Sequence, residues 1–312
     1  MTGRRLLLFS LVLFLLPIVV AWYGLSVASA IGLVLLMLLW RWGISLSAIA
    51  FPARVPELEL ETISVSHFVE KVRWCLDRLG VEYREKPVGG TLGAFFLART
   101  VPLLKFRCGR VRSSIGNSAE ILRYLWGRYA AERPEQAEFL RPTPERLAFE
   151  SRVDRCGVDL QVWVYHHMLP SRELTLRAWG AESAAIPAWQ RLTLKALFPL
   201  LRVMIRQVFR ITPAHYAKTV EHVNKLLDEV EANLADGRQS ILGGDEVNYT
   251  DMTFAAIMGL WALPANFGAG RADDVRVDPA RWPPAMQDDV RAWKEAHPRA
   301  TAFIERLYES RA

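Results

Sequence analysis

The chain has 312 residues, with 39 lysines and arginines against 33 acidic residues and a net charge of +6. That length holds two small domains and an apolar segment besides, and the slightly positive mean hydropathy is unusual for a protein that lives wholly in water. Basicity without an interleaved aromatic and arginine pattern excludes the known nucleic-acid modules, and three cysteines (Cys75, Cys108, Cys156) with no C-x-x-C exclude a disulfide framework and suit a reducing compartment.

The hydrophobic excess is local. Leu6 to Trp40 carries no charge, and Tyr23, Gly24 and Ser26 interrupt it. Such a run predicts two short spans with a tight turn, or one span plus an interfacial piece, over an anchor of residues 1–52. Ala28-Ser29-Ala30 also fits a signal-peptide cleavage site, but the apolar run continues past it. Trp22, Tyr23, Trp40 and Trp42 stand where interfacial aromatics belong. Arg4 and Arg5 before the run, with Arg41 and Arg54 after it, predict both ends on the cytoplasmic side. Residues 51–56, with two prolines, read as a stiff linker.

Leu58 to Val65 is short and compatible with a strand. From His67 the period changes: Phe68, Val72, Cys75, Leu76 and Leu79 recur at helical spacing, and Gly80 closes the helix. Val81 to Val88 reads as a second strand and Gly89, Gly90 and Gly93 as a loop. A third strand enters through Thr100 to Leu104, a fourth covers Arg110 to Ser114, and Ser118 opens a second helix. Strand, helix, strand, short segment, strand, strand, helix is a thioredoxin-like order over residues 57–129.

Ser66 to Arg73, closing in Leu79-Gly80, resembles the first strand-helix turn of glutathione S-transferases. Val101-Pro102 resembles their cis-proline site, and Asn117 to Leu125 their second conserved helix start. Later, Ile241 to Met252 resembles a folding signature of the family's helical domain. The resemblance covers everything after the apolar segment. It implies a glutathione S-transferase fold, with an α+β thioredoxin-like domain followed by an all-α domain over residues 145–312, here preceded by a transmembrane helical hairpin.

It also implies a glutathione site. A cis proline leaves the Val101 backbone open to pair with the cysteinyl part of glutathione as an added strand. The helix start at Asn117 and Ser118 offers free N–H groups and a positive dipole end to the γ-glutamyl carboxylate. Ser66 heads the first helix near the sulfur and is the catalytic residue that the resemblance implies. Capping alone is the competing reading for Ser66 and for Ser118. Two departures weigh against activity. Asn117 stands where the family has Glu, and no cysteine occupies the turn, with Ser66, His67 and Val69 where glutaredoxin-like relatives have Cys, Pro and Cys. His67, projecting from the next position, is expected to be exposed.

Residues 129–144, rich in Pro and Glu, read as a linker, and helical periodicity dominates beyond it. Asn248 and Asp251 form a capping-box pattern. Adjacent His166 and His167 diverge around a helix and cannot readily share a metal, and no metal site is expected. Trp163, Tyr165 and His166 are candidates for a hydrophobic substrate pocket. Between Glu182 and Glu221 there is no acidic residue. Arg191, Lys195, Arg202, Arg206 and Arg210 fall near one helical face and Leu194, Leu197, Leu201, Ile205 and Val208 near another, with Pro199 expected to kink or divide the helix.

The expected function is therefore conjugation of glutathione, as co-substrate, to a lipophilic electrophile at the cytoplasmic face of a membrane. Membrane lipid and a second copy of the chain are among the partners, and nucleic acid is not. The alternative is a non-catalytic protein of the same fold, similar to metaxins, acting in membrane or protein contacts.

Overall fold

Apolar periodicity and turn residues divide the chain into the elements seen in a computed structural model, which describes residues 12, 15–16, 18–19, 22–24, 26–50, 55–90, 92, 101–108 and 111–311. Arg4, Arg5, Arg54, most of Leu6–Trp22, Gly93 and Thr100 lie outside the described residues.

Helix α1, Val27–Ala50, is apolar nearly all round, and Leu36, Leu39, Trp40 and Trp42 are exposed on it. Among the described residues no helix is long and apolar enough to cross a membrane. The transmembrane hairpin expected over residues 1–52 is thus overturned. Charge sets the limit: the uncharged part of α1 ends at Trp40, before Arg41. Val27 to Trp40 rises roughly 21 Å at the helical repeat, short of a hydrocarbon core of roughly 30 Å.

The strands are β1 (Glu57–Thr62), β2 (Arg84–Pro87), β3 (Leu103–Cys108) and β4 (Val111–Gly116), in the sheet order β2-β1-β3-β4. Helix α2 (His67–Arg78) connects β1 to β2, and α3 (Ser118–Tyr129) follows β4. This is the strand and helix order read from the sequence, with β2 starting three residues later than expected. Over its first four residues the β1 side chains alternate, so Leu58 and Leu60 are buried while Glu59 pairs with Lys105 at 3.4 Å. Glu57 pairs with Arg107 at 2.5 Å. The two pairs keep a constant sum of residue numbers, which is antiparallel register.

The chain forms two compact units, residues 1–60 with 104–115 and residues 61–103 with 116–312. In the second unit, a short α4 (Pro134–Ala137) precedes the helices α5 (Pro144–Met168), α6 (Arg172–Ala178), α7 (Ala188–Val208) and α8 (Pro213–Asn233). They are followed by α9 (Tyr249–Ala262), α10 (Pro284–Ala296) and α11 (Pro298–Glu309). Proline at the first turn and a Thr or Ser cap start several of these: Thr143 accepts from the Arg146 amide at 3.2 Å and Thr212 from the His215 amide at 3.1 Å. Helix α9 is buried along almost its whole length and packs on α2, α5 and α11, so it is the axis of the unit's core. Its capping box is the one the sequence shows. Asp251 accepts from the Asn248 amide at 2.9 Å and, through its other oxygen, from the Ile241 amide at 2.8 Å.

Helix α7 runs unbroken through Pro199, so of the expected kink or division the division does not occur. Proline removes the N–H that would bond the carbonyl four residues earlier, that of Lys195. The Arg172 guanidinium donates to that carbonyl at 3.1 Å, which satisfies the freed acceptor and lets the helix continue.

Candidate functional site

Register brings the sequence-derived site residues to one end of the sheet. Carried along from the Glu57–Arg107 and Glu59–Lys105 pairs, antiparallel pairing sets Thr62 level with Pro102. Strands β3 and β4 are neighbours joined by two residues, which only an antiparallel hairpin allows, so Gly116 returns beside Leu103. Three segments therefore leave the sheet at the same end: the turn carrying Ser66, the Val101–Pro102 bond, which is cis, and the Asn117–Ser118 start of α3.

Ser66 is the N-cap residue of α2, with extended backbone angles, yet its hydroxyl makes no capping bond. Its carbonyl accepts the first helical bond, from the Glu70 amide at 2.9 Å. The side chain is half-buried. The capping reading of Ser66 therefore has no bond behind it. At α3 the roles differ from the sequence reading. Asn117 is the cap, accepting from the Ala119 amide at 2.9 Å, while Ser118 is the buried first residue of the helix. Asn117 holds φ 67 and ψ 127, a strained conformation for a residue with a side chain. Such strain costs roughly 1–3 kcal/mol and gathers at ligand clamps.

His67 corrects its own expectation. It is 2 % exposed, not on the surface, because its ring is turned into α5. Its Nε2 pairs with the Gly157 carbonyl at 3.0 Å, an acceptor, so Nε2 carries the proton. Burial lowers its pKa from 6.5 to about 4, against a smaller upward pull from the Gly157 bond, so the ring is neutral. Its ring lies 4.3 Å from that of Phe68. Gly157 makes room for both: a Cβ there would stand 2.9 Å from Phe68 Cζ and 3.2 Å from His67 Nε2.

One turn further along α2, Lys71 is fully buried and ion-paired with Glu150 at 2.7 Å and Asp154 at 2.8 Å. Arg123 of α3 reaches the other Glu150 oxygen at 3.1 Å and the Tyr249 hydroxyl at 3.3 Å. Burial raises the pKa of Asp154, and the Lys71 charge opposes that rise. Two helices that carry the site are thereby locked to α5 and α9. Sequence reasoning missed this network. Its only trace is charged residues at positions the helical period assigns to the core, Lys71 among them.

The buried thiols have no catalytic character. Burial pushes Cys75 up to about 12 and raises Cys156 further, far from the thiolate form. All three cysteines are free. Among the described residues no group of three or more side chains could hold a metal ion.

Two cavities among the described residues lie elsewhere. One of about 470 Å³ opens at the far end of α2 from Ser66, between Trp74, Arg78, Glu246 and Met252. A second, of about 290 Å³, is lined by Tyr165, His166, Arg202 and Arg206. Trp163, grouped with Tyr165 and His166 in the sequence reading, is instead fully buried and donates to Asp289 at 2.8 Å. Asp289 also accepts from Tyr216 at 2.6 Å and pairs with His167 at 3.1 Å, and His166 stacks on Tyr216. These five serve packing between α5, α8 and α10.

No protein-family model and no curated protein matches the chain. Solved structures similar to it include a glutathione S-transferase from Methylobacillus flagellatus with glutathione bound. It is 14% identical, with a TM-score of 0.49, over 82% of this chain and 96% of that one. A glutathione S-transferase from Methylobacterium radiotolerans, in complex with glutathione sulfonate, is 16% identical with a TM-score of 0.47, over 82% and 91%. FzlA from C. crescentus is 14% identical with a TM-score of 0.43, over 80% and 87%.

Proposed function

We propose that the chain binds glutathione where Ser66, Val101–Pro102 and Asn117–Ser118 meet, and joins its sulfur to an apolar electrophile. The observation that carries this reading is the uncommitted Ser66 hydroxyl, half-buried at the head of α2 and making no capping bond. In the proposed pose the cysteinyl backbone pairs with Val101 as an added strand. The γ-glutamyl carboxylate meets the α3 N-terminus at Ser118, where helix dipole and N–H groups favour an anion. Ser66 then donates a hydrogen bond to the sulfur and stabilises the thiolate. The thiol proton leaves to solvent, the thiolate forms the carbon–sulfur bond, and the electrophile releases its leaving group or takes up a proton. The neutral His67 beside Ser66 is a poor base, because burial lowers its pKa to about 4. The three free cysteines suit a reducing, cytoplasmic setting, where glutathione is abundant.

A second reading, a non-catalytic protein of this fold, is favoured by Asn117. Its amide turns one oxygen to the Ala119 amide, and it offers no carboxylate to a ligand ammonium. The test is calorimetry with glutathione on the wild type and on Asn117→Asp. The aspartate keeps the cap with one oxygen and presents the second to the ammonium, in place of an N–H₂ that cannot accept. Charged partners add about 1 kcal/mol or more over neutral ones, so tighter binding by roughly fivefold or more is expected. No heat of binding in either protein, with no conjugation over a panel of electrophiles, supports the second reading.

A further inference from the structure

Helix α7 has two apolar faces, and only one of them is used inside the protein. Leu194, Phe198, Leu201 and Ile205 are buried in a core cluster with Trp179 and Leu169. The opposite side carries Trp189, Leu192, Ala196, Leu200 and Val203, all exposed, and Leu192 is 67 % exposed. At 100° per residue these five fall within about a quarter of the helix circumference, so they form one outward stripe about four turns long. Scattered exposed apolar side chains need no explanation, but a contiguous stripe marks a surface that meets something.

Charge says what it meets. Lys195, Arg202 and Arg206 are exposed and line one flank of the stripe, and Arg210 follows the helix. No acidic residue occurs between Glu182 and Glu221. Among the described residues none of the three flanking cations is ion-paired with a carboxylate. Arg202 and Arg206 also stand at the cavity beside Tyr165 and His166, which gives an anionic headgroup a recess next to the stripe. A second copy of the chain docked on this face with its helix antiparallel would set this flank against itself, cation on cation with no carboxylate to relieve it. A tryptophan at one end, leucines and valine along the face and arginines beside them are what a helix lying in a lipid interface presents. The Arg172 bond to the Lys195 carbonyl keeps the stripe continuous past Pro199.

We propose that the outward face of α7 is a membrane-docking surface for anionic lipid, with Trp189, Leu192, Ala196, Leu200 and Val203 entering the headgroup boundary and Lys195, Arg202 and Arg206 meeting lipid phosphates. The inference is independent of the thiol-binding reading.

The test uses the full chain and flotation with vesicles of phosphatidylcholine, alone or with phosphatidylglycerol as a minor fraction, at low and high salt. Binding is expected to the mixed vesicles and to weaken with salt. Each cation near an anionic surface is worth about fivefold, so Lys195→Gln/Arg202→Gln/Arg206→Gln should weaken it by roughly a hundredfold. Leu192→Glu/Val203→Glu, at positions with no core contact, should abolish it while melting as the wild type does. Wild-type flotation by both variants would overturn the proposal and move the binding to another part of the chain. So would the absence of binding by the wild type. A change of oligomeric state in either variant by sedimentation, without loss of flotation, would assign the face to contacts between copies and equally overturn it.

Discussion

His67 and Gly157, 90 residues apart, are joined by a buried hydrogen bond of 3.0 Å from the imidazole to the backbone carbonyl. The bond fixes the first turn of α2 against α5, and with it the position of Ser66. Gly157→Ala tests the close approach directly. Its Cβ would stand 3.0 Å from Ile257 Cδ1 as well as against Phe68 and His67, so α2 must shift or the core must strain. Overpacking of this kind costs typically about 1–3 kcal/mol. Calorimetric melting should show that loss, and glutathione affinity should fall with it if the turn is displaced.

Neutral burial of His67 makes stability depend on pH. Its pKa in the folded protein, about 4, lies below the ordinary 6.5. The stabilisation is therefore present above pH 6.5 and is lost as pH falls through the interval down to about 4, because the unfolded state takes up the proton first. The span corresponds to about 3 kcal/mol at most. Urea unfolding across this window should show the decline in the wild type and a shallower one in His67→Asn. Parallel curves would remove His67 from the acid response.

Lys71 is expected to be a highly sensitive charge. Lys71→Met leaves Asp154 without its cation and Glu150 with Arg123 alone, a loss of about 3–5 kcal/mol in comparable sites. Denaturant midpoints check this. Adding Asp154→Asn to the variant should recover part of the loss, since the stranded charge is gone.

Ser66→Ala separates chemistry from folding. With no capping bond to lose, the variant should melt within a few tenths of a kcal/mol of the wild type, below the roughly 1 kcal/mol of a working cap. If the hydroxyl stabilises the thiolate, conjugation falls by about a hundredfold or more, as for other donors to developing anions. Glutathione affinity changes little. A melting loss of the full capping size would return Ser66 to a structural role.

Arg172 and Pro199 are coupled through the Lys195 carbonyl. Arg172→Ala should cost about 1 kcal/mol, the net worth of a hydrogen bond to a charged donor at a partly exposed site. In a Pro199→Ala background, where an N–H returns to the same carbonyl, the cost should shrink toward zero. A double-mutant cycle by urea unfolding measures the coupling. Additive losses would mean that the guanidinium acts elsewhere.

Local chemistry was legible before any coordinates. The 3.6-residue period marked α2, the alternation in Leu58 and Leu60 marked β1, and the Asn248–Asp251 pair announced the start of α9. Each of these rests on residues within a turn or two of one another. The order of elements along the chain followed as well, whereas the meeting of Ser66, Pro102 and Asn117 at one end of the sheet was implied only by the resemblance and rests on the register of the folded sheet. The sequence by itself thus determined the elements. Tertiary structure alone decided which side chains are inside. His67 is buried because a glycine ninety residues away admits it, and Lys71 because Glu150 and Asp154 neutralise it. On α7 the leucines at 194 and 201 face a core and those at 192 and 200 face out, although all four are equally apolar. The apolar run read as a membrane hairpin met the same limit: hydropathy counts carbon, while crossing a bilayer needs an uncharged helix of sufficient length. Burial is a property of pairs distant in sequence, and no local pattern encodes which of two apolar faces finds its partner.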